Sequence, residues 1–285
     1  MNKEIKAFEE KFDNCIKEVL VLTETGTSAR RCAKEKMWTA QVTVLAVIDM
    51  KTDELIEGKR RLTWLLTDQQ CNSKEKIFEL EAESIYQLKV QESFAFTNPF
   101  SQEVIPQEES YLVREVVERN CYDSRLEEIR KKYQLPVTLH TKGCSALLLD
   151  KSLGIFSGNG VWNSCQCTVH FDVDHEGAET AKEALCTWDK LLLDCAEWDR
   201  KARSYAAKEL MDTANSWILD AIEEDEEIEE ITERVFAERM VLSEIAVSIE
   251  GDFTIYYEDD DMFWGHIIMI NGNIDRGLED AAIAG

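Results

Sequence analysis

Apolar residues along the chain change period several times, and each change marks an element. Ile5, Phe8, Phe12, Ile16 and Val19 step by three or four, which predicts an amphipathic helix over residues 2–20. The polar stretch 21–37 around Gly26 predicts a loop. From Trp38 to Asp49 the chain is rich in β-branched residues and predicts a strand. A turn at 51–57 leads to a second strand at 60–66, and short strands are predicted at 77–80, 84–90 and 94–96. Within 84–90, Tyr86, Leu88 and Val90 alternate with Gln87 and Lys89, so one face is buried. Short strands at this spacing predict a small barrel or sandwich, and the oligonucleotide-binding barrel fits the outline. Its function does not follow from its shape. Pro99 and Pro106 mark 97–110 as a long loop, and 111–117 reads as a strand or a helix start. Leu126, Ile129 and Tyr133 mark a short helix that ends before Pro136.

The second half opens with strands at 146–150 and 154–156. Ser157-Gly-Asn-Gly160 reads as a hairpin turn and 162–173 as the returning strand. From 178 to 222 no Gly or Pro interrupts a helical pattern that includes Leu185, Trp188, Leu192, Trp198, Tyr205, Leu210 and Trp217. One helix of that length would run ~65 Å, too long for a domain of this size, so a break is predicted near 195–199. An acidic run follows at 222–230, then a helix over 231–240 and strands at 241–249, 253–257 and 263–270. The fold class is α+β. Residues 1–140 form an N-terminal helix plus a small β-rich barrel or sandwich, and residues 141–285 form an antiparallel sheet packed by long helices.

Charge sharpens this division. The 57 acidic and 32 basic side chains among 285 residues give a net −25. Residues 1–140 hold 25 acids and 21 bases, a net −4, and residues 141–285 hold the other 32 and 11, a net −21. Nucleic acid is therefore excluded as a partner of the second domain, because phosphate contacts need clustered Lys and Arg. The first domain keeps a small basic patch at Lys59, Arg60 and Arg61. No apolar run approaches a membrane span or a signal peptide, so a cytoplasmic protein with no membrane partner is expected. Nine cysteines are an odd count, and without a secretory signal most of them read as reduced, small, buried residues.

Several stretches of the second half occur in a specific order. They are Gly154-Ile-Phe156 with Trp162, Glu197-Trp-Asp-Arg-Lys-Ala-Arg203, Asn215-Ser-Trp217, Asp259-Asp-Asp-Met-Phe-Trp-Gly-His266 and the terminal Ile283-Ala-Gly285. Over roughly 145–285 the chain resembles an uncharacterised bacterial family, domain of unknown function 2262. The resemblance implies a small antiparallel sheet with helices and implies no activity. The first half carries no motif recognised as that of a named family.

The strongest candidate site is the segment 252–271. Four acids at 258–261 crowd its turn, and Asp259, Asp260 and Asp261 precede Trp264 and His266. A strand from Phe263 would place Phe263 and Gly265 on one side and Trp264 and His266 on the other. Carboxylates beside a histidine can hold a divalent cation or act as acid and base. They can equally form a solvated turn beside a hydrogen-bonded histidine. The aromatic stripe Trp188, Trp198, Tyr205 and Trp217 reads as core, or Trp198 and Trp217 line a pocket with Trp264. Cys165 and Cys167 share a face while His170 points to the other, so the three do not converge on a metal. Asp172 and Asp174 share a face, as a cation pair would, while Glu176, Gly177 and Glu179 fit the simpler role of residues at a helix N-terminus.

No Walker, dinucleotide, HExxH or GxSxG motif is present, and no cofactor, metal or catalytic residue is assigned. The expected function is a non-enzymatic binding module for a basic protein partner, like acidic immunity proteins by analogy only. The alternative is a divalent-cation-dependent enzyme on the acidic hairpin and His266. A third reading is a scaffold whose acidity serves solubility. Partner identity and oligomeric state stay open.

Overall fold

Alternation of buried and exposed positions builds both halves of the chain. A computed structural model describes residues 2–73, 79–97, 104–105, 109–175, 177–220 and 230–285. Two compact units meet in sequence at Leu135 and Pro136.

The first unit runs α1 (Asn2–Glu9), β1 (Lys17–Thr23), β2 (Ser28–Arg30), β3 (Trp38–Asp49), β4 (Glu54–Leu66), α2 (Asp68–Cys71), β5 (Ile85–Glu92), β6 (Phe96–Thr97), β7 (Val104–Ile105), β8 (Ser110–Arg119) and α3 (Ser124–Gln134). Hydrogen bonds close a ring in the order β1-β5-β8-β4-β3-β1, with β2 added beside β3. Only β4 and β8 pair in parallel within that ring. The result is a five-stranded barrel. Val42, Val44, Leu62, Leu88 and Val90 fill it. Tyr86, Leu88 and Val90 face inward, as their alternation requires. Leu126 of α3 joins Leu22, Ala46, Ile48 and Ile85 in a separate apolar cluster. Asp123 caps α3 by accepting from the Arg125 and Leu126 N–H groups.

The helix expected over 2–20 is shorter. It ends at Glu9, and Lys17–Thr23 is a barrel strand. Helical spacing misleads here because Ile16 is 58% exposed, while Val19 and Val21 enter the barrel core and Leu22 the cluster beside α3. Phe12 is buried but forms a lone bridge with Ser93 rather than a helical turn.

The second unit contains β9 (Thr138–Leu139), β10 (Leu147–Asp150), β11 (Ile155–Trp162), β12 (Cys165–Asp172), α4 (Lys182–Leu193), α5 (Cys195–Asp220), α6 (Glu233–Arg239), β13 (Val241–Val247), β14 (Asp252–Glu258), β15 (Ile267–Asn273) and β16 (Gly277–Ala284). Its sheet has eight strands in the order β16-β15-β14-β13-β12-β11-β10-β9. β9 pairs with β10, which draws the division ahead of the expected 140/141.

The sheet is not antiparallel throughout, because β12 and β13 run in parallel. All three helices lie between these two strands in sequence, and a crossover of that kind returns the chain in the same direction. The helical stretch breaks at Asp194, just ahead of the predicted window. Trp188, Leu191, Ala202, Ala206 and Leu210 share one apolar cluster with Val169, Phe171, Ile255 and Ile268.

Ser157-Gly-Asn-Gly160 is not a turn but lies inside β11. Cβ atoms added at Gly158 and Gly160 would come within 2.7 Å of Leu147 and 2.8 Å of Val169, so close packing requires these glycines. The hairpin turns at Asn163 and Ser164, whose φ of 45° and 67° suit a two-residue loop.

Candidate functional site

β14 and β15 are joined by residues 259–266, which hold the strongest sequence candidates. The strand expected from Phe263 begins only at Ile267. Asp260, Asp261, Trp264 and Gly265 have φ of 48°, 61°, 58° and 84°, a left-handed backbone that no strand accommodates. The predicted two-faced alternation is therefore lost. Met262 and Phe263 are buried, and Trp264 is 59% exposed.

Asp259 organises this loop. Its carboxylate is 3% exposed as a residue and accepts from Phe263 N (2.5 Å), Gly265 N (3.2 Å) and Asp261 N (3.3 Å). Those bonds satisfy backbone donors that the tight path would otherwise strand. Asp260 accepts from Arg239 Nε at 2.8 Å, which ties the loop to the end of α6. Asp261 is exposed. His266 Nδ1 lies 2.6 Å from the Phe263 carbonyl oxygen, so that nitrogen carries a donated proton. The carboxylates thus do not converge on His266.

An aromatic cluster forms instead. Trp217 of α5 lies 4.9 Å from Trp264, 5.5 Å from Phe263 and 5.4 Å from His266, measured between ring centres. The edge contacts with Phe263 and His266 are near-perpendicular, the favoured aromatic geometry. Trp198 is elsewhere. Its ring meets Phe253 edge-on at 5.2 Å, and Lys201 lies over it at 5.6 Å. Phe253 starts β14, whereas the loop follows its other end, so Trp198 does not join Trp264.

The other candidates resolve locally. Asp174 accepts from Lys182 N, Glu183 N and Thr180 Oγ1, so it caps α4. Burial pushes its carboxyl up, but those helix N–H bonds outweigh it and hold the group below the usual range. Glu176 lies outside the described residues, as do residues 222–229 of the acidic run. Cys167 is buried and Cys165 exposed, and burial pushes the Cys144 and Cys167 thiols up to about 11. All nine cysteines are free thiols. Among the described residues, no three His, Cys, Asp or Glu side chains gather as a metal site would require.

A buried polar centre was missed by motif reading. Tyr257 is fully buried and donates to Asp199 Oδ1 at 2.8 Å. Arg203 Nε and Asn163 Nδ2 reach Asp199 Oδ2 at 3.0 and 3.3 Å. Arg203 also donates to the Ala237 and Met240 carbonyls and lies 4.8 Å from the Tyr257 ring. Burial, then the Asp199 charge, drive the Tyr257 hydroxyl far above its ordinary range. The spacing of Asp199 and Arg203, four apart on α5, was the available signal. Beside this centre, Arg200, Arg203, Ser204, Arg234 and Glu238 line an open groove of about 630 Å³.

The class defined by these features is a chain with a five-stranded barrel followed by an α+β unit. Residues 144–283 match the family DUF2262, described as an uncharacterized protein conserved in bacteria. Residues 4–133 match DUF7021, described as a domain of unknown function, so the first half is also similar to a family. No curated protein and no solved structure matches the chain. No described helix is long and apolar enough to cross a membrane.

Proposed function

We propose that the second unit is a binding module that takes a basic segment of a partner protein on the Trp264 loop, in the bacterial cytoplasm. The carrying observation is Trp264 itself, 59% exposed and held at φ 58° against Trp217. A non-glycine residue in that conformation costs of order 1–3 kcal/mol and persists only where surrounding contacts enforce it. An exposed, preorganised tryptophan suits a binding hot spot. Exposed Glu258, Asp260 and Asp261 adjoin it in sequence, within a half of the chain carrying −21. A Lys or Arg side chain over such a ring gains about 0.5–1 kcal/mol when exposed and more when desolvated.

In this reading α4 and α5 form the layer that backs the sheet, and α5 supplies Trp217 as a rigid support. The immunity-protein parallel rests on acidity alone. Titration with an arginine-rich peptide, followed by tryptophan fluorescence, tests the proposal. Binding at low salt that weakens as salt is raised, and that Trp264→Ala removes, supports it. Equal binding by Trp264→Ala rejects it.

A further inference from the structure

The face of the sheet opposite the core carries a second constellation, independent of the Trp264 loop. The His170 ring on β12 bridges side chains from both neighbouring strands. Ser157 Oγ on β11 lies 2.8 Å from Nδ1, and Glu244 Oε2 on β13 lies 3.1 Å from Nε2. Sheet register builds this chain. Ser157 and His170 are direct partners across the β11–β12 ladder, and Glu244 stands opposite Thr168, two residues before His170. Alternation sends Phe156, Val169, Phe171 and Ile245 into the core and leaves Ser157, His170 and Glu244 on the outer face. All three are partly exposed.

The tautomer that satisfies both contacts carries its proton on Nε2, donated to Glu244. Nδ1 is then left to accept from the Ser157 hydroxyl. A hydroxyl bonded to a base, itself oriented by a third group, is the arrangement of an activated nucleophile. Asn159 and Thr168, the next cross-strand pair on this face, line an open cleft of about 670 Å³ with Gln166, Ser243 and Glu258.

We propose that Ser157 is a nucleophile with His170 as its general base, and that this site hydrolyses small carboxylic esters. Ser157 Oγ bonds to the ester carbonyl carbon as its proton passes to His170 Nδ1. The carbon–oxygen bond to the alcohol breaks, and the alcohol leaves with that proton. A water then gives a proton to Nδ1 and its oxygen to the acyl carbon. The carboxylic acid departs as Ser157 recovers the proton. Glu244 is a positioning residue that holds the ring. Asn159, two residues along β11 on the same face, offers an amide donor to the carbonyl oxygen.

The test uses the full chain, a fluorophosphonate probe and p-nitrophenyl acetate. Intact mass should show one probe adduct, mapped to Ser157 and absent from Ser157→Ala. His170→Asn should slow its formation by ~10²-fold or more, the usual worth of a general base. Glu244→Gln should slow labelling by a smaller factor, and Glu244→Asp should recover part of that rate, which a merely structural residue would not do. On this face Glu244 comes from β13, Asp172 from the histidine's own strand, and β11 presents Ile155, Ser157 and Asn159. An adduct-free Ser157, a rate unchanged in His170→Asn, or full ester turnover by Ser157→Ala overturns the proposal.

Discussion

The second unit holds two acidic centres built in opposite ways. At Asp199 the carboxylate is enclosed and matched by Arg203, Tyr257 and Asn163, and those partners join α5 to β14 and to the β11–β12 turn. At residues 259–266 only Asp259 is enclosed, and it spends its oxygens on the loop's own N–H groups. That internal wiring leaves Trp264 and Asp261 facing outward. Similar residue types thus serve cohesion in one place and presentation in the other. The difference lies in where the partners come from. At Asp199 Tyr257 and Asn163 come from distant elements and only Arg203 from its own helix, whereas at Asp259 the same short loop supplies every partner.

Removing a partner from the enclosed centre should have the largest effect on stability. Arg203→Ala leaves Asp199 charged and buried without its cation, a loss of about 3–5 kcal/mol in urea unfolding. Tyr257→Phe removes one donor to that carboxylate and should cost about 1–3 kcal/mol by the same assay. A Tyr257→Phe variant as stable as the parent would show that the centre is not a structural tie.

The helix cap at Asp174 gives a smaller effect with a defined pH sign. The helix N–H bonds hold its folded pKa below that of an ordinary aspartate, so its stabilisation is present above the unfolded value. That contribution is lost as pH falls through the lower, folded value. Asp174→Ala should cost about 0.5–2 kcal/mol at neutral pH, and the difference from the parent should vanish in strong acid. Thiol chemistry separates buried from exposed positions in the same way. Cys144 and Cys167, with pKa about 11, should resist iodoacetamide at mildly alkaline pH, while exposed Cys15 and Cys32 react. Rapid alkylation of Cys167 in the folded protein would contradict its enclosure.

Some of this architecture was legible because it depends on local period. The alternation at Tyr86, Leu88 and Val90 marks a barrel strand, and the length of the helical stretch requires the break seen at Asp194. Other features depend on partners far away in sequence. Nothing within 2–20 reveals that Val19 and Val21 pair with β3 and β5. Gly158 and Gly160 look like turn residues until Leu147 and Val169 press against them. Trp264 reads as a strand residue because backbone handedness leaves no mark in hydrophobic pattern. Ser157, His170 and Glu244 meet only through strand register. Glu244 reaches its place through a helical crossover that the sequence reading rendered as antiparallel.

On the loop itself, stability and binding should separate. Trp264→Ala should change unfolding free energy by no more than about 0.5 kcal/mol, as exposed substitutions do. Asp259→Asn should disturb the loop and Trp264 fluorescence together. The most direct measurement is a fluorescence titration of the parent and Trp264→Ala with the same arginine-rich peptide, at ~0.05 M and ~0.5 M salt. The account predicts saturable binding by the parent at low salt, weakened at high salt and lost in Trp264→Ala at both. Equal affinity in parent and variant, or no binding by the parent at low salt, would contradict it.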